Sequence, residues 1–333
     1  MAAVIRKRPA PDGLSCPAAA AGGRKKKRPR FEFGSIYNYE KLEVLGEGTY
    51  GVVVKARDQR TGETVAIKWI RPGVAAACGG VDDGGGAPDL SAVFREAGCL
   101  SACRGHPSIV QMREVAADEV TGHVFIVMEF VGPSLESRLT RRFSEGETRA
   151  IMRQLLRGAE GLHGAGTIHR DIKPDNILVG PGGALKICDL GMAAPARPAG
   201  ELYPEETVAA LWYRAPELLM GFRSYGPAID MWALGCVMAE VLTGEPLFGG
   251  AETVDDMYAK VLELCGMDGP ELHASLRELS EAGHEVLRGL LSFKAEKRLT
   301  AAEALSHRWF DEEDAPLSTL CSQPDRRGLI SFF

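Results

Sequence analysis

The 333-residue chain has no apolar run near the roughly 20 residues that a membrane span needs. Its best stretch, Val124 to Val131, is broken by Glu129. The eight cysteines contain no C-x-x-C pair, which suits a reducing compartment better than a disulfide framework or a zinc site. The chain turns basic at Arg6-Lys7-Arg8 before any long apolar stretch, which argues against a secretory signal. Aromatic residues are few, at 7%, yet 45% hydrophobic and 25% charged residues are ordinary for a globular protein. Collagen-like, coiled-coil and wholly disordered chains are thereby excluded.

The net charge of −6 averages two unlike segments. Residues 1–30 carry nine Lys or Arg and one Asp, a balance of +8, whereas the remainder stands at −14. Residues 1–36 are rich in Ala, Gly, Pro and basic side chains and have no apolar periodicity. They read as a disordered basic tail that buries too little to offset its ordering entropy. Within it, Arg24-Lys25-Lys26-Lys27-Arg28-Pro29-Arg30 reads as a nuclear or nucleo-cytoplasmic address, against the plain alternative of a solvated charge run. The acidic body opposes nucleic acid as the main partner, because phosphate contact needs a basic surface.

From Tyr39 the pattern becomes strand-like: Leu42 to Leu45, Val52 to Arg57, Thr64 to Ile70, Val110 to Val115 and His123 to Phe130. Residues 72–89, with six glycines and an alanine run, read as a flexible loop before a helix at Leu90 to Cys103. After Val131 the periodicity predicts helices at Glu147 to His163, Ala228 to Thr243, Thr253 to Cys265 and Ala301 to Arg308. The expected fold is α+β and bilobal, with a β-rich lobe over 39–130, a mainly helical lobe over 131–310 and an extension over 311–333.

Leu45-Gly46-Glu47-Gly48-Thr49-Tyr50-Gly51-Val52-Val53 fits G-x-G-x-x-G-x-V, where glycines let backbone amides lie close over phosphates. Alone this pattern is weak, and a plain hairpin turn explains it better. Strand residues rather than a helix follow, which argues against a Rossmann fingerprint. Lys68 ends the apolar strand Val65-Ala66-Ile67-Lys68, and burying it needs a carboxylate partner, for which Glu96 on the next helix is the natural candidate. His169-Arg170-Asp171-Ile172-Lys173-Pro174-Asp175-Asn176 packs acids, bases and an amide into eight positions. Eighteen residues after Asp171 comes Cys188-Asp189-Leu190-Gly191. An amide and a carboxylate converging on a divalent ion match phosphoryl-transfer chemistry.

On these motifs the sequence resembles the eukaryotic protein kinases over residues 39–310, with Ala215-Pro216-Glu217 closing the activation segment. Lys173 fits the serine/threonine pattern. His106-Pro107-Ser108-Ile109-Val110 and Trp212-Tyr213-Arg214 resemble the cyclin-dependent kinase branch, closest to its plant F-type group. The resemblance implies ATP and Mg²⁺, protein substrates with Ser or Thr acceptors followed by Pro, and admits a cyclin-like activator. It assigns Asp171 as proton acceptor, with Lys173 steadying the transferred phosphoryl charge. Asn176 and Asp189 would hold the metal. Leu45, Gly46, Gly48, Tyr50, Gly51, Val53, Ala66, Lys68, Glu96, Glu129 and Val131 would surround ATP, with Met128 at the back. Asp230 would brace the catalytic loop and Arg298 would pair with Glu217.

Departures from the family pattern bear on regulation. The usual activating threonine falls on Glu205, where a carboxylate could imitate part of a phosphate's charge toward Arg95 and Arg170. Thr207 is two residues along. A third arginine of that pocket is Ala194, and a threonine that braces the catalytic aspartate is Ala210. Thr49 and Tyr50 match positions of inhibitory phosphorylation. These changes keep a second expectation open, a docking module with the kinase fold and little turnover. Retention of Lys68, Glu96, Asp171, Asn176 and Asp189 favours the enzyme.

Overall fold

A computed structural model describes residues 33–48, 51–71, 90–266, 276, 279–317 and 320. The readings of 1–32 as tail, 72–89 as loop and Thr49 and Tyr50 as regulatory positions lie outside the described residues.

The first lobe is a six-stranded sheet of β1 (Gly34–Ser35), β2 (Tyr39–Gly48), β3 (Gly51–Asp58), β4 (Thr64–Ile70), β5 (Met112–Ala117) and β6 (Val124–Glu129), in the order β1-β5-β6-β4-β3-β2. Helix α1 (Ser91–Ala102) packs beside β5 and β6. Alternation of Val65 and Ile67 with more exposed neighbours turns the apolar side of β4 onto Ala56, Ala116 and Val127. One boundary moves: residues 33–36, grouped with the tail on composition, are ordered. Gly34 and Ser35 pair in parallel with Ala116 and Ala117, and the Phe33 ring lies 6.3 Å from that of Phe94. Backbone pairing to an existing edge needs no apolar periodicity, so composition could not register it.

The second lobe is mainly helical: α2 (Leu135–Arg138), α3 (Glu145–Gly164), α4 (Pro216–Leu219), α5 (Ala228–Thr243), α6 (Val254–Gly266), α7 (Glu281–Leu290) and α8 (Ala301–Leu305). Helix α3 begins earlier than its periodicity suggests, because Ser144 and Glu147 form a reciprocal capping box, with Ser144 N–H donating to Glu147 Oε2 at 2.9 Å. Every residue of α5 from Ile229 to Thr243 is buried, so this helix has no solvent face and forms the lobe's axis. Short pairs β7 (Thr167–Ile168) with β10 (Ala194–Pro195) and β8 (Ile177–Val179) with β9 (Leu185–Ile187) hold the loops that face the first lobe. Among the described residues no helix is long and apolar enough to cross a membrane.

The extension after 310 docks as far as it is described. Arg149 on α3 pairs with the Glu312 carboxylate and donates to the Glu313 carbonyl at 2.8 Å. Arg153, one turn on, holds Asp314 through two bonds of 2.7 and 3.0 Å. Leu317 is buried beside Gly183, in the turn between β8 and β9.

Candidate active site

The two lobes meet at a cleft of about 760 Å³, including its open mouth. Leu45, Gly48, Gly51, Val53 and Ala66 line its roof, and Met128, Glu129 and Val131 line the connection between lobes. Gly46 stays in β2, in register with Val53, and does not line the cleft. Glycine at 51 is required by packing: its φ is +152°, and a Cβ would sit 1.8 Å from the Trp69 carbonyl oxygen. Gly132 is equally constrained, since a Cβ there would meet Val179 O at 2.1 Å. The Glu129 carboxylate is taken by Lys186 Nζ at 2.7 Å and by the Gln111 N–H at 2.9 Å. Sequence reasoning missed Val110, Phe130, Gly132 and Leu178, which complete the lining. Their apolar types would fit any core, and only the fold shows that they face a cavity.

At the inner end of the cleft, Lys68 Nζ bonds both Glu96 oxygens at 2.9 and 2.8 Å and Asp189 Oδ1 at 2.7 Å. Strand β4, helix α1 and the loop after β9 are thus joined through one ammonium. Burial works against a charged Lys68, but the Asp189 and Glu96 carboxylates outweigh it and hold its pKa above the usual value. Burial would raise the Asp189 carboxyl; the Lys68 charge and hydrogen bond bring it below the usual range instead. Cys188, next in line, has its thiol pushed well up by burial and by the Asp189 charge, so it is an inert neutral group.

Asp171 faces this group from the catalytic loop. Asn176 Nδ2 donates to the Asp171 carbonyl at 2.8 Å and to its Oδ2 at 3.0 Å. That fixes the amide and leaves its carbonyl oxygen as an atom that could hold a metal ion. Lys173 Nζ lies 3.5 Å from Asp171 Oδ2. His169, fully buried, accepts from Asp171 N–H at Nδ1 (3.2 Å) and therefore donates from Nε2 to the Cys188 carbonyl (2.9 Å). The imidazole ties the catalytic loop to the Asp189 loop.

Behind the loop, Asp230 Oδ1 accepts from Arg170 N–H and Oδ2 from His169 N–H, each at 2.9 Å. Burial opposes this carboxylate, and the His163 ring at 2.9 Å together with those amides holds its pKa low. Arg298 grips Glu217 through two bonds of 2.8 and 3.0 Å. Both residues sit where their expected bracing roles require.

Glu205 is buried and meets Arg170 through two bonds of 3.0 and 3.1 Å, with Arg95 Nη1 at 3.7 Å. Tyr225 OH also receives from Arg170 at 3.1 Å. The activation segment is thereby fastened to the catalytic loop and to α1 next to Glu96. Thr207 is exposed and has no part in this cluster. Ala194 matches the charge count: a carboxylate carries one negative charge, and two arginines already exceed it.

Among the described residues, positive φ outside glycine occurs at Arg170 (69°), Asp189 (57°) and Ala209 (66°). Left-handed backbone costs an alanine or arginine on the order of 1–3 kcal/mol and persists where the surroundings impose it. All three positions adjoin Asp171 or the Lys68 cluster.

A β-sheet lobe set over a helical lobe, with a buried lysine–glutamate pair facing a His-Arg-Asp loop, defines the protein kinase fold. The protein kinase domain model matches residues 39–310. The chain is 43% identical over 312 residues to cyclin-dependent kinase F-2 of Oryza sativa subsp. japonica, whose designation is itself provisional, covering 84% of this chain and 91% of that one. It is 36% identical over 320 residues to cyclin-dependent kinase G-1 of Oryza sativa subsp. indica, covering 85% of this chain and 44% of the relative. Cyclin-dependent kinase G1 of Arabidopsis thaliana gives 36% over 322 residues, covering 85% and 50%. The chain therefore spans about half the length of the G-type relatives. It belongs to the protein kinase family, as a serine/threonine kinase of the cyclin-dependent type. Members of this family use ATP and a divalent metal ion.

Proposed function

We propose that the chain is an active, proline-directed kinase that moves the γ-phosphoryl group of Mg²⁺-ATP to Ser or Thr of protein substrates. The observation that carries this reading is the convergence of Lys68, Glu96 and Asp189 on one side of the cleft with Asp171 and Asn176 on the other. Asn176 and Asp189 offer two hard oxygen donors, which suits Mg²⁺ because that ion takes its remaining ligands from phosphate and water. When bound, the ion supplies charge neutralisation on the phosphates. Lys68 would hold the α- and β-phosphates while Glu96 keeps its ammonium in place. Asp171 would accept the proton of the substrate hydroxyl as its oxygen bonds phosphorus and the bond to ADP breaks. Lys173 would balance the equatorial oxygens. Two departures that favoured a silent docking module have substitutes: Glu205 fills the arginine pocket, and a backbone amide takes up the threonine's place beside Asp171.

The preference for proline is supported by the wall beside Asp171. Arg214 donates to the Val208 carbonyl at 3.1 Å and to the Ala209 carbonyl at 2.9 Å, so both carbonyls are turned to its guanidinium and offer a substrate N–H a poorer, shared acceptor. A residue after the acceptor that brings an N–H here loses its partner, at about 1–3 kcal/mol, whereas proline has none to lose. A Ser-Pro peptide is therefore expected to exceed its Ser-Ala counterpart roughly tenfold or more in kcat/KM. Equal values would remove the proline-directed reading.

The basic segment 24–30 supports nuclear entry. A fluorescent fusion with these seven residues replaced by alanine should lose nuclear enrichment; unchanged enrichment would refute the address. For an activator, α1 presents Phe94 beside Phe33 at the surface, an apolar pair suited to a cyclin-like partner.

A further inference from the structure

We infer that the backbone amide of Ala210 is a positioning group for Asp171, aimed by the left-handed turn at Ala209 and the Arg214 clamp. The inference rests on the reading of Asp171 as proton acceptor. Ala210 N–H donates to Asp171 Oδ1 at 2.9 Å, while Asn176 Nδ2 donates to Oδ2 at 3.0 Å. A carboxylate held by one bond still swings about its Cβ–Cγ axis. Held on both oxygens from two directions, it has one plane, and the acceptor hydroxyl meets a fixed lone pair.

The 209–210 peptide would not point this way by default. Ala209 has φ +66°, a conformation that alanine adopts only under constraint. Arg214 supplies the constraint by bonding the carbonyls of both Val208 and Ala209. Arg214 itself is buried deeply enough to lower its pKa, with Asp171 the charge that opposes the shift. The carbonyl of Ala209 is turned toward Arg214, and the amide on the other side of the same planar peptide is turned toward Asp171. One peptide orientation thus serves two purposes: it turns the Ala209 carbonyl to Arg214 and the Ala210 amide to the base. It also makes the aim of Asp171 depend on the activation segment being folded, with no side-chain hydroxyl at position 210.

Ala210 has φ −62°, which proline matches, so Ala210→Pro deletes this N–H with little change in the residue's own dihedral. The expected result is a fall in kcat of roughly tenfold or more with KM for ATP within about twofold, because the proline ring removes the donor and also disfavours the left-handed Ala209 that aims it. Ala210→Ser keeps the amide and should retain kcat within about threefold. Wild-type kcat in the proline variant overturns the inference. So does a serine variant that falls as far as the proline variant, since that assigns the effect to the side chain. If Ala210→Pro does not fold, hydrogen exchange in the intact chain decides: the Ala210 amide should exchange about tenfold faster in Asp171→Ala than in the wild type. Equal exchange refutes the bond. A wild type that transfers no phosphate refutes the proposed activity instead, and the exchange measurement still tests the hydrogen bond separately.

Discussion

Replacing Glu205 by alanine is expected to lower the rate of phosphoryl transfer by roughly tenfold to a hundredfold without abolishing it. The argument is electrostatic. Arg170 is 2% exposed and Glu205 7% exposed, so removing the carboxylate leaves a buried guanidinium without its counter-charge. Breaking such a pair costs about 3–5 kcal/mol, less here because Arg170 keeps the Met192 carbonyl at 2.6 Å and Tyr225 at 3.1 Å. The chain relieves the cost by releasing the activation segment, which carries Ala210 and Arg214, and by loosening Arg95 beside Glu96. Glu205→Gln keeps the shape and loses the charge, and should fall between. Phosphatase treatment should not lower the wild-type rate, because the charge that fastens the segment is part of the sequence. A rate for Glu205→Ala equal to that of the wild type would remove this account of the segment.

The same pair sets an acid limit. Burial would raise the Glu205 carboxyl, and the Arg170 hydrogen bonds and charge hold it below the usual carboxylate range. A carboxylate depressed in the folded state stabilises the fold fully above its unfolded pKa of about 4.3. That contribution is lost as pH falls through the lower folded value. At neutral pH the fastening is therefore complete.

Much of the site was legible because kinase chemistry demands particular side chains at fixed linear spacing. Asp171, Asn176 and Asp189 lie in turns next to short apolar strands, whereas Lys68 lies within β4 and lines the cleft from there. Glu96 was legible one step removed: a buried lysine needs a carboxylate, and α1 has no other. The pairing of Glu205 with Arg95 and Arg170 came from family resemblance, since 110 residues separate Arg95 from its partner and no local pattern links them. The cleft floor at Leu178 and Val110 was hidden because apolar residues look alike in a core and in a pocket. The docking of 312–317 was hidden because the pairs that make it, Arg149 with Glu312 and Arg153 with Asp314, are 163 and 161 residues apart in the chain. Backbone devices were the least visible. The β1 pairing and the Ala210 amide use groups that every residue carries, and what selects them is where the chain passes.

The central claim is that this chain transfers phosphate through Asp171. Asparagine at that position preserves volume and removes the acceptor for the hydroxyl proton, while also disturbing the bonds from Ala210 and Asn176. General-base contributions are on the order of 10²–10⁴ in rate, so a loss of that size is expected here. The direct measurement compares the purified wild type with Asp171→Asn for transfer of labelled γ-phosphate from Mg²⁺-ATP to a Ser-Pro peptide, each with and without an added cyclin. The account predicts transfer by the wild type and at least about a hundredfold less by the variant. Equal, negligible transfer by both proteins under every condition would contradict it.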